Sequence, residues 1–174
     1  MPMIPSMTHD VASPTSPRIA LVADFAASEL FERTFREGME LVEETADYLD
    51  GEGRREAKLL SRAGALAYAA QSMKLTTRLM RIASWLLVQR AVREGDMSPD
   101  AACDPRYRLE ERTPEAEPGS LELPIALVEY CVRAERLHDR IAHLDRRMYL
   151  EAPEADTPNP VLAQLGRLEA AFRG

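Results

Sequence analysis

Apolar residues recur every three or four positions along most of this chain, the spacing that places side chains on one face of an α-helix. The most regular stripe lies between residues 123 and 149. Its members are Leu123, Leu127, Tyr130, Ala134, Leu137, Ile141, Leu144 and Met148. Further stripes cover residues 18–49 and 54–94, and few segments alternate apolar with polar residues as strands do. The pattern predicts an all-α fold, an antiparallel three-helix bundle with one very long central helix.

Residues that favour the start or the end of a helix set the boundaries of the predicted elements. Ser16 and Pro17 suit the cap and first turn of the first helix, Gly51 and Gly53 follow its end, and Gly95 follows the second helix. Proline and acidic residues dominate between and beyond the helices. We therefore expect a bundle at residues 18–150, with three segments outside its helices: a disordered N-terminal tail at 1–17, an acidic loop at 96–122 and a flexible C-terminal tail at 151–174.

The C-terminal tail contains one short amphipathic segment, which is too short to form a stable helix alone in water. It therefore needs a surface on which to dock. Its apolar residues, the candidates for tail docking, are Val161, Leu162, Leu165, Leu168 and Phe172.

The central helix has two opposed apolar faces when its residues are projected at 100° intervals. One face carries Leu59, Ala63, Leu66, Ala70, Met73, Thr77, Met80, Ser84, Leu87 and Ala91. The opposite face carries Tyr68, Leu75, Leu79, Ile82 and Leu86. A three-helix monomer needs one broad buried stripe, so we interpret the second set as the face of a homodimer. The alternative is that the acidic loop or the tail folds over the extra face.

A third side of the central helix consists of small residues, and only the fourth side is predicted to face solvent. Lys74, Arg78 and Arg81 lie there beside Trp85. Cations next to an aromatic ring suit an acidic protein partner or a nucleic-acid backbone, so these four residues are the candidate partner-binding surface. The alternative is a solvated face whose cations pair with neighbouring glutamates.

Composition narrows the class of protein. The net charge of −7 over 174 residues disfavours a broadly basic nucleic-acid surface. No segment reaches the ~20 apolar residues of a membrane span, and the N-terminal tail lacks the apolar core of a signal peptide. Cys103 and Cys131 lie far apart, which fits a reducing compartment. We expect a cytoplasmic protein with no nucleic-acid partner and no membrane insertion.

Residues able to carry chemistry are scattered. His138 and His143 are five positions apart, so they do not share a helix face as a metal-binding pair. Glu135 and His138 match the Glu-x-x-His motif of di-iron bundles, but a second copy of the motif is missing, which favours a surface pair. The sequence also lacks a glycine-rich phosphate loop. We therefore predict no enzyme activity, catalytic residue, cofactor, metal or small-molecule substrate.

Several strings resemble a known family: LVEETA at 41–46, YLDG at 48–51, LTTRLM at 75–80, ASWLL at 83–87 and QRAVREG at 89–95. They are similar to the alphaproteobacterial family that includes the regulator of CtrA degradation, RcdA. The resemblance covers residues 20–110 and fits the third helix in position and type.

The resemblance implies a dimeric three-helix bundle that acts as a protease adaptor. Such proteins help deliver the cell-cycle regulator CtrA and other substrates to the ClpXP protease. They work with a response-regulator adaptor and a cyclic-di-GMP-binding adaptor, and they are recruited to the cell pole. The alternative function is a dimeric helical scaffold or regulator that binds a different client and has no link to proteolysis.

Overall fold

The computed structural model describes residues 16–109 and 122–149, which contain helices, turns and no strand. The helices are α1 (Pro17–Ala27), α2 (Glu29–Asp50), α3 (Glu52–Ala57), α4 (Arg62–Glu94), α5 (Pro99–Ala102) and α6 (Ile125–Tyr149), with a 3-10 turn at Pro105–Tyr107. The predicted all-α fold is confirmed. The predicted C-terminal tail, nearly all of the N-terminal tail and part of the acidic loop lie outside the described residues.

The first predicted helix, at 18–49, is divided by Ser28. This residue has an extended backbone (ψ 155°) and is the N-cap of α2. Its hydroxyl accepts a hydrogen bond from the backbone N–H of Phe31 (3.1 Å) and donates one to the carbonyl of Phe25 (2.6 Å). Ser28 thus satisfies backbone groups at the end of one helix and the start of the next. The predicted first helix therefore bends at Ser28, which ends α1 and begins α2.

The second predicted helix, at 54–94, is divided between α3 and α4. Ser61 is the N-cap of α4, and its hydroxyl accepts a hydrogen bond from the backbone N–H of Gly64 (3.1 Å). The short α3 is tied to the end of α2, because the Tyr48 hydroxyl donates to the Glu56 carboxylate (2.7 Å). The capping serine therefore begins the long helix several residues later than the apolar pattern suggested.

The central helix α4 has 33 residues and is ~50 Å long. It stops at Gly95, whose φ of 80° is the left-handed conformation that commonly ends helices. Near its C-terminal end, Arg93 pairs with Glu32 of α2 (3.2 Å). Farther along α2, a Cβ added to Gly38 would lie 2.5 Å from a methyl carbon of Leu86. Gly38 therefore allows α2 and α4 to approach closely.

The contacts between α2, α4 and α6 show how these helices run relative to one another. α2 runs antiparallel to α4, as the contacts above indicate, and also antiparallel to α6. Its pairs with α6 are Glu37–Arg140 and Glu44–Arg133. α4 and α6 run in the same direction, as shown by the contacts Arg78–Glu135, Trp85–Asp145 and Gln89–Tyr149. The predicted antiparallel arrangement therefore holds for α2 against both neighbours, whereas α4 and α6 are parallel.

Parallel packing of α4 and α6 requires the chain between them to return along α4. Residues 96–109, here called the return segment, begin that path and bury Ala102 and Leu109. On the far side of the undescribed residues 110–121, the carbonyl oxygen of Glu122 lies 3.5 Å from a Cβ placed on Gly64, near the start of α4. The first half of the predicted loop 96–122 is thus partly helical and packed on the bundle.

The predicted apolar stripe of α6 forms one wall of the core. Its fully buried members are Leu127, Ala134, Leu137 and Ile141, with Met148 at 5% exposure. The other three members pack partly buried against the same core. The core also contains Val22, Phe31, Leu41, Leu75, Ile82 and Leu86 from α1, α2 and α4.

We expect Ser28→Ala to lower the free energy of unfolding by about 1 kcal/mol, because the N-cap acceptor of α2 is lost. Urea denaturation followed by circular dichroism measures the change. Ser84→Ala is the matched control, since that exposed hydroxyl only donates to the carbonyl of Met80 within its own helix (2.8 Å). We expect the control to change stability by less than ~0.5 kcal/mol. Equal losses in both variants would contradict the capping role.

Candidate protein-interaction surfaces

The predicted partner-binding surface is not one exposed stripe. Trp85 is only 2% exposed, and its ring lies 5.7 Å from that of Phe25. Arg78 is mostly covered and pairs with Glu135 of α6 (3.3 Å). The prediction of Trp85 as a surface residue is wrong, because α6 packs on the side of α4 that carries Arg78 and Trp85.

The other two members of that set lie toward the edge of the α4–α6 contact. Lys74 is partly exposed and Arg81 is exposed. The structure therefore leaves two of the four predicted residues accessible and places the other two in contact with α6.

The predicted dimer face lies inside the chain's own core. Leu75, Ile82 and Leu86 are 0% exposed and Leu79 is 4% exposed, while Tyr68 is partly buried. These side chains belong to the core cluster that α1, α2 and α6 share with α4. They cannot serve as a dimer face in this fold, because neighbouring helices already cover them. The homodimer itself stays a prediction.

Among residues 16–109 and 122–149, none of the helices packs over the opposite face of α4 or over Leu59 just before the helix. Its large side chains are widely exposed: Leu59 87%, Leu66 66%, Met73 72%, Met80 65% and Leu87 53%. We call these five residues the α4 outer face. A contiguous apolar surface of this kind usually marks a contact with another chain or segment. The sequence pattern identified both apolar faces correctly but not which one the bundle buries.

A second exposed apolar group lies at the start of α6. Ile125 is 78% exposed, Val128 43% and Val132 38%. Their spacing of three and four residues places them in one row along the helix. The five predicted tail-docking residues, Val161, Leu162, Leu165, Leu168 and Phe172, lie outside the described residues.

A buried carboxylate on α6 holds the return segment against the bundle. Asp145 is 2% exposed. Its Oδ1 atom accepts hydrogen bonds from the indole N–H of Trp85 (2.9 Å) and the backbone N–H of Leu109 (3.3 Å), and its Oδ2 atom pairs with the Arg108 guanidinium (3.3 Å). A carboxylate removed from water requires such donors. We call this arrangement the Asp145 clamp.

One helical turn later, a tyrosine makes a second attachment of the return segment. The Tyr149 hydroxyl donates to the carbonyl of Ala102 (3.1 Å) and accepts from the side-chain amide of Gln89 (3.2 Å). Burial raises the pKa of Tyr149 to about 12, although the hydrogen bond from Gln89 acts in the opposite direction. The hydroxyl therefore remains neutral well above physiological pH.

A groove of about 450 Å³ lies between α4 and the return segment. Its lining consists of Thr77, Met80, Arg81, Ser84, Trp85, Val88, Arg106, Tyr107, Arg108 and Leu109. Three of these residues are arginines, and none is a carboxylate, histidine or cysteine. The groove is thus apolar and cationic, and its lining provides no pair of nucleophile and base.

The described residues contain no group of three or more histidine, cysteine or acidic side chains that could hold a metal ion. Burial raises the pKa of both Cys103 and Cys131, which keeps these thiols protonated and weakly nucleophilic near neutral pH. His138, expected on the surface beside Glu135, is only 4% exposed. No helix in the described part of the chain is both long enough and apolar enough to cross a membrane.

Sequence reasoning missed the Asp145 clamp. One signal was available, because Asp145 follows Leu144 and lies four positions after Ile141 and three before Met148. An acidic residue at that spacing falls on the buried stripe, and a buried acid requires donors. The identity of those donors could not be read from the sequence, since Trp85 and Leu109 are distant along the chain.

The fold and its surfaces define the class of protein: an all-α helical bundle with exposed apolar faces. A crystal structure of RcdA from Caulobacter crescentus CB15 is similar to it, with 58% sequence identity and a TM-score of 0.63. The match covers 74% of this chain and 98% of that one. No curated protein gave a match to the sequence.

A family profile described as "Protein of unknown function (DUF1465)" matches residues 22–172. The chain belongs to this family, and its resemblance to the RcdA family is confirmed by the crystal structure just described.

We expect Asp145→Asn to lower the free energy of unfolding by about 2 kcal/mol, because the amide places a donor next to Arg108 and removes the charge that paired with it. Urea denaturation followed by the fluorescence of Trp85, the single tryptophan, measures the loss. Glu129→Gln on the exposed side of α6 is the control and should change stability by less than ~0.5 kcal/mol. The clamp is not important for stability if the two variants behave alike.

The raised pKa of Tyr149 predicts a pH-dependent contribution to stability. Because the pKa in the folded state (about 12) lies above the ordinary 10.0, this contribution is complete below pH 10 and is lost as the pH rises toward 12. We expect the stability difference between the wild type and Tyr149→Phe to be constant from pH 8 to 9. Above pH 10 it should shrink by up to ~1.4 kcal/mol per pH unit. Urea denaturation at each pH measures it, and a constant difference at pH 11 would argue against the prediction.

Proposed function

We propose that this chain is a non-enzymatic adaptor that helps deliver cell-cycle regulators such as CtrA to the ClpXP protease through protein–protein contacts. The observation that carries the proposal is the 58% identity to RcdA over 98% of the RcdA chain. At that identity nearly the whole length of RcdA has a counterpart here. The family relationship supports a regulatory protein without catalytic activity.

The chemistry of the described surfaces supports a binding role. Large apolar side chains are exposed to solvent along α4 and at the start of α6. Such side chains can anchor contacts with partners. The carboxylate of the Asp145 clamp is instead turned inward, and each of its two oxygens accepts a hydrogen bond. Such a rigid bundle can present surfaces to several proteins without changing its own covalent state.

The proposed partners are ClpXP, the response-regulator adaptor and the cyclic-di-GMP-binding adaptor, together with CtrA-type substrates. A cytoplasmic location with recruitment to a cell pole, and a homodimer as the working form, belong to the same proposal. The competing function is a dimeric scaffold that binds another client and has no link to proteolysis. The following experiment distinguishes this scaffold from the adaptor.

The adaptor role can be measured with purified ClpXP, CtrA and the two accessory adaptors from the organism that encodes this chain. We expect addition of the chain to shorten the half-life of CtrA several-fold. A substrate that ClpXP degrades without any adaptor is the control, and its half-life should not change, because the chain acts on delivery rather than on the protease.

Affinity capture on the purified chain, with and without ClpX in the cell extract, provides the second readout. Recovery of ClpXP subunits together with faster CtrA degradation supports the adaptor. The adaptor function is contradicted if the CtrA half-life is unchanged and no protease subunits are recovered. Recovery of a different client in that case would support the scaffold function.

A further inference from the structure

The ion pairs that join α2 to α6 repeat along the two helices. Arg133 of α6 pairs with Glu44 of α2, and Arg140, seven residues later, pairs with Glu37, seven residues earlier on α2. Seven residues are close to two helical turns, so each step returns to the same face of both helices. One more step, toward the start of α2 and the end of α6, brings position 30 opposite position 147.

The series of ion pairs stops at this third position. Position 30 is a leucine rather than a carboxylate, and its side chain is 46% exposed. Arg147 is also exposed, and none of the carboxylates in the described part of the chain forms an ion pair with it. The repeat of the two helices therefore places an exposed leucine opposite a cation that lacks the partner present at the two preceding positions.

Further cationic or polar side chains flank this position. Arg33 and Arg36 follow Leu30 at intervals of three residues on α2, and His143 precedes Arg147 by four residues on α6. Such spacings keep side chains close together on a helix surface. All of these residues are exposed, and Arg33 and Arg36 form no ion pair with any residue of the ranges 16–109 and 122–149. We call Leu30, Arg33, Arg36, His143 and Arg147 the Leu30 surface.

The nearby carboxylates do not neutralise this surface. On the same stretch of α2, Glu37 and Glu32 already pair with arginines of α6 and α4. On the last turns of α6, Asp145 is buried in the Asp145 clamp. Glu29 is the exposed carboxylate that remains on residues 29–37, against three arginines of the Leu30 surface. This end of the bundle is therefore locally positive, although the whole chain has a net charge of −7.

The charge of the Leu30 surface selects the kind of partner that it fits. A second copy of the chain, packed through the same surface, would bring unpaired arginines against each other, which is unfavourable. The fork of an arginine guanidinium can instead donate two parallel hydrogen bonds to a carboxylate. An acidic protein segment supplies such carboxylates, and one apolar side chain of the same segment can cover Leu30.

A nucleic acid fits this surface less well. The net charge of −7 repels a long polyanion. Bases bind single-stranded sites by stacking on accessible aromatic rings, but Phe31 is 1% exposed and the guanidinium of Arg90 lies 4.9 Å from the centre of the Phe35 ring. The exposed apolar side chain of Leu30 offers a contact that a phosphate backbone cannot use. An acidic protein segment therefore matches the surface better.

We propose that the Leu30 surface binds an acidic segment of a partner protein. Arg33 and Arg147 hold carboxylates of the segment, and Leu30 contacts one of its apolar side chains. The proposal specifies the chemistry of a partner and does not depend on the adaptor function, because binding of an acidic peptide can be measured without a protease or a degradation substrate.

The test measures the binding of a fluorescently labelled synthetic peptide of glutamate, serine and leucine to the full-length chain by fluorescence anisotropy. We expect Arg33→Glu combined with Arg147→Glu to weaken binding about ten-fold, because each reversal replaces an attraction by a repulsion. Arg33→Gln combined with Arg147→Gln should weaken it less, because only the attraction is lost. Circular dichroism checks that both variants remain folded.

The matched control is Lys58→Glu combined with Arg62→Glu, which makes the same change in charge at two exposed cations. These residues lie at the start of α4, far from Leu30, because the opposite end of α4 contacts α2 through Arg93 and Glu32. We expect this variant to bind the peptide almost as the wild type does. Leu30→Ala should weaken binding of the same peptide but not of a peptide in which serine replaces every leucine.

The proposal is overturned if the peptide does not bind, if both charge-reversal variants weaken binding equally, or if Leu30→Ala affects neither peptide. Tighter binding of labelled oligothymidylate than of the peptide, with the same loss in the Arg33 and Arg147 variant, would make the partner a nucleic acid. A large gain in peptide affinity on combining Glu151→Gln, Glu154→Gln and Asp156→Asn would show that the chain's own tail occupies the surface. Sedimentation of the wild type as a dimer and of the Arg33 and Arg147 variant as a monomer would assign the surface to a second copy.

Discussion

The arrangement of this bundle depends on one buried carboxylate. Asp145 of α6 binds the indole of Trp85 on α4 and, through Arg108 and the backbone of Leu109, the segment that leaves α4. α4 and α6 are parallel, so the connection between them must turn back along the bundle. A buried charge is tolerated only when donors surround it, and here those donors come from two different parts of the chain. These contacts therefore provide the hydrogen-bond donors that the carboxylate needs and join α4 to α6. They also hold the return segment beside the groove.

That packing decides which side of the central helix is available for binding. α6 covers the side that contains Arg78 and Trp85, while α1, α2 and α6 together enclose Leu75, Ile82 and Leu86. The side left over carries Met73, Met80 and Leu87 in solvent. α4 is also the most cationic of the described helices, but Arg78, Arg90 and Arg93 pair with Glu135, Glu94 and Glu32, so its exposed side is chiefly apolar. An exposed apolar side of this kind suits a contact with another protein chain.

Much of the fold was predictable from local patterns. The buried stripe of α6 follows directly from its apolar spacing, and Gly95 ends α4 where a glycine was expected to. The wrong predictions concern positions where the same apolar pattern is compatible with two different structures. Ser28 and Ser61 divide two predicted helices, because a serine can interrupt a stripe in a continuous helix or cap a new one. Trp85 was placed on the surface because the arginines around it suggested solvent, although an aromatic ring next to cations can equally be buried beside a carboxylate.

The sequence by itself determined the helices, the apolar stripes and the family, since these depend on neighbouring residues and on strings that can be read along the chain. It also determined that α4 has two apolar faces. Only the tertiary structure decided that the Leu79 face is buried and the Met80 face exposed, because both satisfy the same helical period and the choice depends on where α2 and α6 lie. The binding partner of Asp145 was decided in the same way. Trp85 and Asp145 are 60 residues apart, and only the parallel packing of their helices brings the indole to the carboxylate.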